Sequence, residues 1–187
     1  MSYRLRPEKH ELQKARETTR NILEGCKHEL TKDRVLEVNL GVMPSSPETE
    51  HGARGTAIDS ETAQIYFNTD KKEWREDLEK VVRKAFGKSW FYENMEMSGL
   101  IWQELLADTF SYMFLAQTEE REPETQVGQE WEQKSDKLKQ QINETKTSFS
   151  WQLKWKLGKK LLQKHELEQF PQLTRKDVQE AGELLID

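Results

Sequence analysis

An α+β fold is predicted by the order of the secondary-structure signals along the 187 residues of the chain. Apolar residues recur at helical spacing from about Pro7 to Leu30. Segments with strand character follow between residues 34 and 68, and the rest of the chain is mainly helical in character. Because strands and helices are grouped rather than alternating, the pattern favours a small sheet of three or more strands with separate helices.

The strand signals are alternation and β-forming composition. Apolar and polar side chains alternate from Arg34 to Gly41, which predicts one apolar face. A loop is predicted over residues 43–55, and the composition of residues 59–62 is typical of a turn between two short strands. The predicted strands cover residues 34–41, 55–58 and 64–68.

The helical signals divide the rest of the chain. Thr69 or Asp70 is suited to cap one helix, Ser98 the next, and Thr174 with Asp177 resembles a capping box for the last. The predicted helices after the strands cover residues 70–93, 98–118, 131–146, 149–165 and 174–185. A linker that contains Pro123 separates the first two of these helices from the last three. The predicted organisation is therefore a domain at 1–118, a linker or mobile loop at 119–130 and a helical extension at 131–187.

Composition narrows the function classes. The net charge is −5 and is spread along the chain, so nucleic acid is not an expected partner. No apolar run approaches the roughly 20 residues that span a bilayer, and the first ten residues lack the apolar stretch of a signal peptide. The expectation is a cytoplasmic protein without a transmembrane segment.

The most informative segment is Lys84-Ala85-Phe86-Gly87-Lys88, which is followed by Glu104 and Asp108 on the next predicted helix. Lys88 lies on an otherwise apolar stripe, and an unpaired buried ammonium group is costly. Successive helices with a short connection usually pack together. The sequence therefore predicts an ion cluster of Lys84 or Lys88 with Glu104 and Asp108; the alternative is that Lys88 extends to solvent at the helix border while Glu104 hydrogen-bonds locally.

In sequence and spacing these residues resemble the gluzincin metallopeptidases, especially the small minigluzincins. In that family one helix carries the motif H-E-x-x-H and the next carries Glu-x-x-x-Asp. The resemblance covers residues 34–118 and implies a zincin-like fold, with a small sheet beside the helix of the active site. It places the zinc ligands at Lys84, Lys88 and Glu104, the general base at Ala85, and the acid that supports a ligand at Asp108.

The differences from the motif remove the groups that zinc binding and hydrolysis require. A protonated lysine is a poor zinc ligand, and Ala85 cannot accept a proton from water. No cofactor is therefore expected; zinc is expected only if the His, Glu and His of the motif are restored. Two ammonium groups close to Glu104 would supply about the same positive charge as one zinc ion, which is our hypothesis for how such a scaffold keeps its fold.

The resemblance also implies an edge strand that lines the cleft and pairs with extended substrate. We expect this strand at residues 64–68, and its members are Gln64, Ile65, Tyr66, Phe67 and Asn68. The predicted function is thus a metallopeptidase-like protein without catalysis that binds peptide or protein. It is either a natural pseudoenzyme or a variant with replaced ligands. The alternative is a structural protein that acts through helix pairing and resembles a protease by accident.

Other candidate sites are weaker. Cys26 is expected to be a helix residue rather than a nucleophile, and the four histidines show no metal-binding spacing. The segment 149–164 combines lysines with an apolar stripe of Trp151, Trp155 and Leu162. Packing of this stripe on the core is the favoured interpretation, and contact with a membrane surface is the alternative.

Overall fold

The computed structural model describes residues 9–43, 51–117, 123–141 and 148–186. The packing of the backbone divides the chain into two compact units, residues 1–93 and residues 94–187. The division predicted from the sequence at residue 118 falls inside the second unit. Parts of the predicted loop at 43–55, linker at 119–130 and helix at 131–146 lie outside the described residues.

The first unit contains one long helix, a three-stranded sheet and a second long helix, so the predicted order of elements in an α+β fold is confirmed. Its elements are α1 (Lys9–Glu29), β1 (Glu37–Val42), β2 (Ala53–Ala57), β3 (Thr62–Phe67) and α2 (Trp74–Asn94). The strand order is β1-β3-β2, with β1 parallel and β2 antiparallel to β3. The mixed sheet follows from the connections, because β2 reaches β3 by a tight turn whereas β1 is separated from β3 by β2.

The two faces of the sheet differ in burial. On one face Ala63, Ile65 and Phe67 of β3 are fully buried, and the ring of Phe67 lies 5.7 Å from that of Trp74 at the start of α2. The opposite face is more open and carries polar side chains such as Gln64. The alternation predicted for β1 fits this arrangement, since Leu40 is paired with Ile65 and the neighbouring Asn39 is exposed.

The expectation that residues 64–68 form an edge strand is wrong. Residues 64–67 belong to β3 and Asn68 directly follows it. β3 is the central strand and is hydrogen-bonded to β1 on one side and to β2 on the other. A paired central strand has no free backbone groups to offer to a substrate. Among the residues that the structure describes, the edges of this sheet are β1 and β2.

The second unit is helical in its described residues. Its elements are α3 (Ile101–Ala116), α4 (Gly128–Lys134), a 3-10 helix (Ser135–Lys139), α5 (Trp151–Leu161), a 3-10 helix (Leu167–Gln172) and α6 (Arg175–Glu183). The nearly all-apolar α3 contacts α5, α6 and both 3-10 helices, as expected for a helix without a polar face. Phe110 of α3 packs against Phe114 and Phe170.

Local side-chain geometry explains where the helices begin. The capping box of Thr174 and Asp177 at the start of α6 is confirmed. By contrast, α2 begins at Trp74 rather than near Thr69 or Asp70, because Asn68 accepts a hydrogen bond from the backbone of Asp70 and the chain turns there first. The cap predicted at Ser98 is also wrong, since α3 begins after Leu100.

The C-terminal lysine-rich helix packs by a different stripe from the one predicted. Leu153, Leu157 and Leu161 are buried, and their spacing of four residues places them on one side of α5. Trp155 is buried as expected, but 43% of Trp151 is exposed. Contact of this segment with a membrane surface stays a prediction. Within the described residues, no helix combines the length and apolarity that crossing a bilayer requires.

We expect Gly55→Ala to destabilise the protein, because a Cβ at this position of β2 would lie 2.3 Å from the carbonyl oxygen of Gln64. The backbone φ of +156° at Gly55 is also unfavourable for alanine. The expected loss is about 2 kcal/mol in the free energy of unfolding, measured by urea denaturation.

The matched control is Gly25→Ala in α1, where an added Cβ meets nothing within 4 Å. This control is expected to be neutral or to gain about 0.5–1 kcal/mol, since alanine is the better helix former. Equal stability of the two variants would contradict the strand pairing described for β2.

Candidate functional site

The residues at the degenerate motif occupy the most buried part of α2. Ala85 is 1% exposed and Lys88 is 6% exposed, whereas Lys84 is partly exposed. The Nζ atom of Lys88 lies 5.5 Å from the centre of the ring of Tyr92, one turn further along the helix. The prediction that a lysine interrupts a buried stripe is therefore confirmed. A cation over an aromatic face recovers part of the cost of its burial.

Three contacts within the first unit fix α2. Arg83, the residue before the motif, makes a two-pronged ion pair with Glu29 near the end of α1. The indole nitrogen of Trp90 donates to the carbonyl oxygen of Thr31 at 2.8 Å. The backbone N–H of Gly52 donates to Asp77 in the first turn of α2. Two of these contacts lie before the motif and one lies after it, so they hold α2 in place on both sides of the motif.

A buried ion pair holds the C-terminal end of α2. The side chain of Lys32 is 1% exposed and that of Glu93 is 11% exposed, and their charged atoms lie 2.5 Å apart. Lys32 also donates to the carbonyl oxygen of Ser60 in the turn between β2 and β3, and Glu93 accepts from the backbone N–H of Arg34. Burial acts to raise the pKa of Glu93, but the hydrogen bonds from Lys32 and Arg34 outweigh it and lower that pKa below its ordinary value.

The predicted acids lie one turn apart on α3, and both are partly exposed. Asp108 has a partner that was not predicted from the sequence. The Nζ atom of Lys154 on α5 lies 2.6 Å from its carboxylate, and the lysine side chain is only 15% exposed. Within the second unit, Asp108 therefore joins α3 to α5, in the extension beyond the region of family resemblance.

The structure thus places the motif residues in two units. Lys84, Ala85 and Lys88 belong to the first, and Glu104 and Asp108 belong to the second. The pairing of Lys84 and Lys88 with Glu104 and Asp108 stays a prediction. The residue types already limit the chemistry, because the methyl group of Ala85 can neither bind a metal ion nor move a proton.

The other nucleophile and metal candidates do not form a site. Cys26 lies in a helix, α1, as expected. It is also buried, and this burial raises the pKa of the thiol to about 11. A thiol of this kind is inert at neutral pH. Among the residues that the structure describes, no group of three or more His, Cys, Asp or Glu side chains is arranged to hold a metal ion.

Comparisons with protein-family models, with curated proteins and with solved structures found no match for this chain.

We expect Glu93→Gln to reduce the free energy of unfolding at pH 7 by about 3 kcal/mol, because it leaves a buried Lys32 without its counter-charge. Since folding lowers the pKa of Glu93, its contribution is complete above the ordinary glutamate value of 4.5 and is lost as the pH falls below it. The difference between wild type and variant should therefore shrink in urea titrations from pH 7 to pH 3.

Glu79→Gln serves as the control, because Glu79 is an exposed residue of the same helix and loses the same charge. Its effect is expected to stay within about 0.5 kcal/mol. A constant difference between Glu93→Gln and wild type across this pH range would refute the assignment of the low pKa to Glu93.

Proposed function

We propose that this protein is a non-hydrolytic relative of a metallopeptidase scaffold, and that it binds an extended polypeptide instead of cleaving it. The observation that carries the proposal is the identity of residues 84, 85 and 88 on the buried part of α2. Ala85 stands where the resemblance requires the general base, and lysines stand at two ligand positions. A tetrahedral zinc site cannot be completed from the remaining carboxylates alone.

The edge of β1 supports polypeptide binding. Glu37 donates its backbone N–H to Glu61, the residue before β3, and Met43 donates to Phe67 at the end of β3. In a parallel pair, alternate residues bond to the same neighbour, so the backbone groups of Val38, Leu40 and Val42 point away from β3. Val42 is 37% exposed. A strand with outward N–H and C=O groups is the template on which an extended peptide adds by β-augmentation.

The other edge is less open. The hydrogen bonds of Asn68 with Gly52 and of Ile58 with Thr62 set the pairing of β2, so the odd-numbered residues of β2 point outward. Two of these, Ala53 and Ala57, are only 3% and 2% exposed. Their backbone groups are covered, whereas those of β1 adjoin partly exposed residues. We therefore assign the polypeptide to β1.

The scaffold assignment is tested by restoring the motif with Lys84→His, Ala85→Glu and Lys88→His. We expect the triple variant to bind about one zinc ion per chain and to cleave casein, because it regains two ligands and the base. The matched control carries the two histidine substitutions without Ala85→Glu and should bind zinc without cleavage. Zinc is measured by elemental analysis after dialysis. A folded triple variant without zinc would remove the family assignment.

Polypeptide binding is tested with fluorescently labelled β-casein as an unfolded probe. The wild-type protein should bind it without cleavage, measured by fluorescence polarisation and gel analysis. Val42→Pro removes one outward N–H at the end of β1 while leaving the bonds to β3 intact. It should weaken binding about fivefold, whereas Val42→Thr, which keeps the N–H, should not. Equal affinities of the two variants, with both folded by circular dichroism, would exclude the edge of β1 as the binding surface.

A further inference from the structure

A groove in the second unit is unrelated to the motif. Its volume is about 520 Å³, within the range of small-molecule sites. It lies between the start of α4, one side of α5 and the turn that follows α6. Its lining residues are Gln126, Val127, Gly128, Gln129, Glu132, Lys156, Lys160, Leu184, Leu185 and Ile186.

The walls of the groove are held by a close backbone approach. A Cβ at Gly128 would lie 2.7 Å from the carbonyl oxygen of Leu185 and 3.0 Å from the Cα of Ile186. The turn itself is closed by hydrogen bonds from the backbone of Leu185 to Gly182 and of Ile186 to Glu183. The turn at residues 184–186, which forms the apolar wall of the groove, therefore packs directly against α4. This wall is part of the folded structure.

The groove combines an apolar wall with a pair of cations. Leu184 and Ile186 are 41% and 46% exposed, and both line the groove. Lys156 and Lys160 are one turn apart on α5, so their side chains leave the helix on the same face. Among the described residues, no carboxylate oxygen lies within 4.0 Å of either ammonium group.

The charge of the lining favours a singly charged anion. Two lysines and Glu132 give the lining a net charge of +1, and the amide groups of Gln126 and Gln129 add hydrogen-bond donors. We propose that this groove binds a small organic anion with an apolar chain. Its anionic head lies at Lys156 and Lys160, and its chain covers Leu184 and Ile186. Both the apolar wall and the two cations then gain a partner that the described part of the chain does not supply.

The test uses octanoate as the probe, with 1-octanol and acetate as its apolar and anionic parts. Binding is followed by amide chemical shifts of the full chain, with the largest changes expected at residues 126–129 and 184–186. Octanoate should bind at least about tenfold more tightly than either part, because only octanoate carries both groups. Equal binding of octanol or acetate, shifts centred elsewhere, or no octanoate binding would overturn the proposal.

Two variants separate the contributions of charge and wall. Lys156→Gln with Lys160→Gln should weaken octanoate binding about tenfold. The control, Lys139→Gln with Lys164→Gln, removes the same charge from exposed lysines outside the groove and should leave affinity within about twofold. If the first pair does not fold, Ile186→Ser changes an already exposed side chain and should also weaken binding. Equal affinity of the folded groove variants and the control would refute the site.

Discussion

The first unit depends on the buried ion pair between Lys32 and Glu93. Lys32 lies between α1 and β1, its ammonium group also bonds to the turn between β2 and β3, and Glu93 lies at the end of α2. The ammonium group of Lys32 therefore links the connection between α1 and β1, the turn between β2 and β3, and the end of α2. Such a pair has a high cost when one partner is missing and a modest net gain when both are present. A shifted sheet or helix would leave one of these charges buried alone, which is energetically unfavourable.

The sequence predicted those features that depend on local periodicity. The long helices, the alternation of β1, the turn before β3 and the capping box at Thr174 are each determined by residues within a few positions of one another. The first residue of a helix was harder to predict where neighbouring polar residues could form either a helix cap or a turn. At residues 68–74, Asn68 forms its own turn with Asp70, which delays α2 until Trp74. The side chain that acts here is that of Asn68, and Asp70 contributes only its backbone N–H to the turn.

Features that depend on distant pairing could not be predicted in this way. The central position of β3 follows from β1 crossing to its far side, and no residue in β3 signals which neighbours it will have. The partner of Asp108 is 46 residues away on α5, and many lysines of that segment were equal candidates in the sequence. The stripe of α5 was misplaced for a related reason: tryptophans suggest burial by size, yet the leucines at 153, 157 and 161 fill the interface.

The link between Asp108 and Lys154 gives the C-terminal helices a structural role. A 16-residue helix that is apolar nearly all round cannot leave a side in water, so α3 needs cover from several directions. Within its unit that cover includes α5, α6 and the 3-10 helices, and Lys154 of α5 forms an ion pair with Asp108 of α3. The acid that the resemblance assigns to the support of a metal ligand therefore already has a cation from this chain. The helices after residue 131 therefore belong to the same compact unit as α3.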